Sequence, residues 1–91
     1  MRDPYTEIRQ VDMPEFSKMI EDVLTGARAT VTGDGSKFEA VVVSEAFEGL
    51  STVKKHQLVY RIFSEQLASG AMHALTIKAY TPAEWEAAQN R

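Results

Sequence analysis

The chain has 91 residues, with 10 Lys and Arg against 13 Asp and Glu, a net charge of −3 and no cysteine. One domain fits that length and a second does not. Without thiols the chain builds no disulfide framework, thiol nucleophile or cysteine-ligated metal site of its own, and its acidic balance, with a pI near 5.3, argues against a strongly basic nucleic-acid module.

The hydrophobic fraction of 44% is enough for a packed core, so disorder is not expected. The longest strictly aliphatic run, Ala40–Val43, is far short of the ~20 residues that span a bilayer. The N-terminus has one early arginine but no apolar stretch behind it. No secretory signal is therefore read, and a cytoplasmic setting is expected.

In chain order, residues 1–11 lack a sustained amphipathic pattern and are read as a flexible N-terminal extension, with the domain covering 12–91. Met13, Phe16, Met19, Ile20, Val23 and Leu24 recur at helical spacing. Asp12 as N-cap and Glu15 three residues later suggest a capping box, so a helix is expected over about 13–25, stopped by Gly26. Ala29–Thr32, the turn Gly33-Asp34-Gly35-Ser36 and Lys37–Ser44 read as a β-hairpin.

Residues 45–51 read as an irregular turn ending at the cap Ser51, followed by a helix over 52–68 that Gly70 stops. On its wheel Val53, His56, Val59, Tyr60, Phe63 and Leu67 share one side, taken as the core side. Lys54, Lys55, Leu58, Arg61, Ile62 and Glu65 fall opposite. Met72–Tyr80 alternates as a third strand, with His73, Leu75, Ile77 and Ala79 on one face. Thr81-Pro82-Ala83-Glu84 combines a Thr cap, a first-turn proline and a glutamate three after the cap, and so opens a last helix anchored by Trp85. The order α-β-β-α-β-α, with a parallel crossover after the hairpin, gives an α+β fold: a mixed three-stranded sheet with helices on one face.

On spacing alone the residues that bear chemistry read first as structural. His73 is a strand histidine and His56 a packed one. Asp34 is a turn former, in a loop without a phosphate-binding or dinucleotide fingerprint. Lys54, Lys55 and Arg61 with Leu58 form a basic face with apolar residues showing, the pattern of a partner or nucleic-acid surface. No nucleophile elbow and no metalloprotease histidine pair is present, so an enzyme is not expected.

The stretch GDGSKFEAVVVSEAFEGLSTVKKHQLVY followed by MHALTIKAYTPAEW, from Gly33 to Trp85, closely resembles BolA-like proteins. The GDGS loop, the VKK run and IKAYTPAEW are most like the family's acid-stress (IbaG/YrbA) branch. The resemblance implies a class II KH-like α+β domain, non-enzymatic, that partners a monothiol glutaredoxin and shares a [2Fe-2S] cluster in iron–sulfur trafficking, iron homeostasis and stress response. The glutaredoxin and its glutathione would supply sulfur ligands, and the isolated chain, expected as a monomer or weak homodimer, would hold no cluster. The family's C-terminal histidine ligand falls on His73. Its second ligand comes from the hairpin loop, where this chain has Asp34 at the cysteine-type position and Lys37 at the histidine-type position. Lysine is a poor cluster ligand and aspartate a hard oxygen donor, which leaves Asp34 as the candidate second ligand. The alternative expectation is a transcriptional regulator that binds DNA weakly through the basic face of helix 52–68. A third is an interaction module that binds glutaredoxin without a cluster. Gly49-Leu50-Ser51-Thr52 lacks the second glycine of a KH phosphate clamp.

Overall fold

A computed structural model describes residues 11–35 and 37–90. Its elements are β1 (Val11–Asp12), α1 (Pro14–Val23), β2 (Arg28–Gly33), β3 (Lys37–Val43), a short 3-10 turn (Glu45–Phe47), α2 (Thr52–Ile62), α3 (Ser64–Ser69), β4 (Ala74–Tyr80) and α4 (Pro82–Gln89). The three expected strands form the mixed sheet: β2 and β3 pair antiparallel, β3 and β4 parallel. The two-residue β1 extends it at the far edge, so the order is β1-β2-β3-β4. Of the expected extension, residues 1–10 lie outside the described residues, while Val11 belongs to the sheet, opposite Gly33.

That pairing corrects the expected helix start. Asp12 sits opposite Thr32 in the ladder, and the N-cap is Met13, with no side-chain cap bond. Ladder pairing of the backbone outweighs one capping bond, and Pro14 at the first helical position needs no N–H partner. The side chains of α1 then close the β2 edge beyond the short reach of β1. Met13 N–H donates to Val31 O at 2.8 Å, Val31 N–H to Ser17 Oγ at 3.1 Å and Ala29 N–H to Glu21 Oε2 at 3.1 Å. An edge strand with satisfied outward amides offers nothing for a foreign strand to pair with.

Alternation in the strands defines a single core face. Phe38, Ala40 and Val42 of β3 are buried in register with Leu75 and Ile77 of β4, and Val31 of β2 joins them. Ile20, Leu24, Val59, Phe63, Phe47 and Met72 cover that face. Phe16 links the layers, edge-on to Phe38 (centroids 5.8 Å) and to Phe63 (5.7 Å). Gly33 lies opposite Phe38, and a Cβ there would stand 2.5 Å from the ring's Cδ1, so the ring occupies the space a side chain would need.

The helix expected over 52–68 is two helices rotated from the expected face. Phe63 (φ −103°, ψ 22°) leaves helical geometry between α2 and α3, and Gly70 in the left-handed region (φ 84°) ends α3. The inward side of α2 is Lys55 and Val59, with Leu58 and Ile62 packed against the core. Val53 (65% exposed) and Tyr60 (42% exposed), taken as core from the wheel, face outward. The buried side straddles the two expected sides: Val59, Phe63 and Leu67 of the expected core side stay inside, and Lys55, Leu58 and Ile62 of the opposite side join them, with a partner on another helix meeting the lysine. The ammonium of Lys55 bonds Glu84 of α4 at 2.8 Å, which allows its aliphatic stem to lie inside.

Candidate functional site

The ladder gathers one end of the sheet. β2 ends at Gly33, β3 begins at Lys37 and Ala74 of β4 lies opposite Lys37. His73, the residue before β4, therefore stands at the hairpin end beside the Asp34–Lys37 turn. Its imidazole is exposed between two fixed points. On one side Met72 is buried and its N–H donates to Gln66 O at 3.0 Å. On the other, Leu75 is buried and its carbonyl accepts from the Tyr60 hydroxyl at 3.2 Å. The backbone carrying His73 is thus held while the ring faces solvent, as a ligand to an external group requires. Neither anchor was foreseen in the sequence. Tyr60 falls on the expected core side of the wheel, and no local signal marks Gln66, whose backbone carbonyl does the anchoring.

Asp34 is exposed in the same turn, but its Oδ1 accepts Lys37 N–H at 3.3 Å while its own N–H donates to Lys37 O at 3.1 Å. The turn is built by this aspartate, as its chemistry suggests. Among the described residues no three or more His, Cys, Asp or Glu side chains gather in a group suited to a metal ion. Among the described residues the hairpin end presents the exposed His73 imidazole and an Asp34 carboxylate partly committed to its turn, too few donors for a metal site of their own. His56 is half-buried on α2.

The expected basic face is corrected. Lys54 and Arg61 are exposed, but Lys55 is buried, with its side chain 8% exposed and its charge met by Glu84. Leu58 is half-buried and packs against the core, so of the expected face Lys55 is the residue the structure turns inward. The same Glu84 Oε1 accepts Thr81 N–H at 2.8 Å, and Thr81 Oγ1 accepts Glu84 N–H at 3.1 Å, completing the expected capping box of α4. The Lys55 hydrogen bond, then the Thr81 backbone bond, hold the Glu84 carboxyl below the usual carboxylate range against some desolvation. A groove of about 400 Å³ between α2, β4 and α4 contains this pair; its polar side chains are Thr52, Lys55, Tyr80 and Glu84, and the Lys55 ammonium and Glu84 carboxylate neutralise each other. Among the described residues, no helix is long and apolar enough to cross a membrane.

The BolA-like protein family model matches residues 13–84. The chain belongs to the BolA-like family. The acid stress protein IbaG of Escherichia coli K12 is 45% identical over 71 residues, covering 78% of this chain and 84% of that relative, which places the chain with the IbaG branch. BolA-like protein 1 of Bos taurus is 41% identical over 81 residues, 89% of this chain and 58% of the longer relative. Among solved structures, a BolA homologue from Coxiella burnetii superimposes with a TM-score of 0.71 at 39% identity, covering 84% of this chain and 97% of that one. The matched region takes in both the hairpin turn and His73.

Proposed function

We propose that this BolA-like protein is a non-enzymatic adaptor that binds a monothiol glutaredoxin and takes part in holding a [2Fe-2S] cluster as cargo, in iron–sulfur trafficking and iron homeostasis under stress. The observation that carries the reading is His73: an exposed imidazole, anchored through Met72 and Leu75, at the sheet end where the family's histidine ligand falls. Imidazole suits iron, and its presence on an otherwise cysteine-free chain matches a division of labour in which the partner and its glutathione bring the sulfur. The residues present fit one nitrogen ligand. Asp34 is the candidate second donor, a hard oxygen already engaged by Lys37 N–H, so the shared cluster is more labile than one held by a thiolate or second imidazole. A cytoplasmic setting belongs to the same proposal.

The test is to mix the protein with a cluster-loaded monothiol glutaredoxin and record visible absorption and circular dichroism. The wild type should change the cluster spectrum and His73→Ala should not; an unchanged spectrum with the wild type removes the reading. Asp34→Ala should speed cluster loss, and identical loss rates strike Asp34 from the ligand set. The reading as a DNA-binding regulator stands behind this one, because the burial of Lys55 against Glu84 leaves Lys54 and Arg61 as the exposed cations of α2.

A further inference from the structure

The two edges of the sheet are treated differently. The β2 edge is closed by β1, Ser17 and Glu21. β4 is the terminal strand at the other edge. Tyr80 O accepts Ser44 N–H and so faces β3. Peptide groups alternate along a strand, so those of Leu75, Ile77 and Ala79 face outward. The Tyr60 hydroxyl takes the Leu75 carbonyl. Among the described residues no other side chain bonds that edge.

Beside this edge runs the outward stripe of α2. Val53 and Tyr60 are seven residues apart, two turns of helix, and therefore share a face. The Tyr60 end lies at Leu75, two residues from His73, and the Thr52 end lies by Ala79 and Tyr80 in the groove between α2, β4 and α4. Single exposed apolar residues are ordinary. Here two of them share the α2 face whose Tyr60 end bonds the Leu75 carbonyl on that edge, and the exposed cations Lys54 and Arg61 are their chain neighbours.

We propose that the cluster-carrying partner docks along this edge, on Val53 and Tyr60, with Lys54 and Arg61 at the rim. The partner surface that fits is an apolar patch bordered by acidic side chains. This rests on the reading of His73 as a shared ligand: a partner seated on the α2 stripe reaches the strand that carries His73 without crossing the sheet. It also moves the partner face away from Lys55, which is turned inward, and from Leu58, which is half-buried against the core.

The test titrates a cluster-loaded monothiol glutaredoxin with the full chain and reads two quantities from visible circular dichroism: the midpoint, which reports docking, and the end-point spectrum, which reports ligation. Val53→Glu places a carboxylate in the apolar stripe and should raise the midpoint about tenfold or more, as for a residue central to an interface. Its end-point spectrum should match the wild type's. Lys54→Glu should also raise the midpoint, by an amount that shrinks as salt is added. Val23→Glu, at an equally exposed valine on α1, is the control and should leave the midpoint in place. An unmoved midpoint with Val53→Glu, while the His73→Ala end point still lacks the spectral change that the wild type gives, overturns the docking face and leaves the ligand reading intact. An equal shift with Val23→Glu overturns it too. No spectral change with the wild type at any ratio defeats the underlying reading, and the docking face with it.

Discussion

Replacing Gly33 by alanine tests how the hairpin end is built. Gly33 is buried opposite Phe38, and the added Cβ would lie 2.5 Å from Cδ1 and 2.6 Å from Cε1 of that ring. The ring has little room to retreat. Phe38 is 7% exposed and packs edge-on against Phe16, which itself packs on Phe63. Overpacking of this kind costs about 1–3 kcal/mol. Gly33 does not have a positive φ, so alanine also restricts the unfolded chain and returns about 0.4–1 kcal/mol. The net expectation is a loss of about 1–2 kcal/mol, or a melting temperature lowered by about 4–16 °C for a domain of this size. Thermal and urea unfolding followed by far-ultraviolet circular dichroism measure it. Phe38→Leu removes the ring edge, so adding Gly33→Ala to Phe38→Leu should cost much less than adding it to the wild type. A melting temperature that stays level or rises, or equal costs in both backgrounds, refutes the close approach. Because Phe38 also stands beside Leu75 in the ladder, Gly33→Ala should disturb the strand start that carries His73.

Two further outcomes follow from named contacts. Glu84 titrates lower in the folded state than its ordinary value of 4.5, so above that pH its contribution to stability is complete, and it is lost as the pH falls through the lowered folded value. Urea midpoints measured downward through pH 4.5 should therefore fall less steeply in Lys55→Met than in the wild type. Glu84→Gln, which leaves a buried ammonium without its counter-charge, should be the more destabilising change at neutral pH; parallel pH profiles for Lys55→Met and wild type contradict the assignment. Ser17→Ala removes the acceptor of Val31 N–H and should cost about 1 kcal/mol, with faster hydrogen exchange at the Val31 amide; unchanged exchange at that amide refutes the edge-closing role.

What the sequence showed was chemistry that closes locally. Thr81, Pro82 and Glu84 make their capping box within one turn, and the alternation in Lys37–Val43 and Ala74–Tyr80 fixes which face of the sheet is buried. What it hid depends on distant partners. β1 is only two residues long and exists because Gly33 and Thr32 are there to pair with, and that pairing takes Asp12 from its capping role. The face of α2 turns on a bond between Lys55 and Glu84, 29 residues apart. The break at Phe63 carries neither glycine nor proline to announce it. His73 shows the same division: a single histidine at a strand start looks ordinary by spacing. The resemblance to BolA-like proteins singled it out, and the structure supplied the anchors at Met72 and Leu75 that give it a fixed place.

The central claim is that the His73 imidazole nitrogen binds the shared cluster. The direct measurement is pulsed electron paramagnetic resonance on the reduced cluster in the mixed complex, with this chain alone carrying ¹⁵N-labelled histidine. The account predicts a nitrogen hyperfine coupling that changes with the label, persists in His56→Ala and disappears in His73→Ala. A spectrum indifferent to the label, or a coupling that survives His73→Ala, contradicts it.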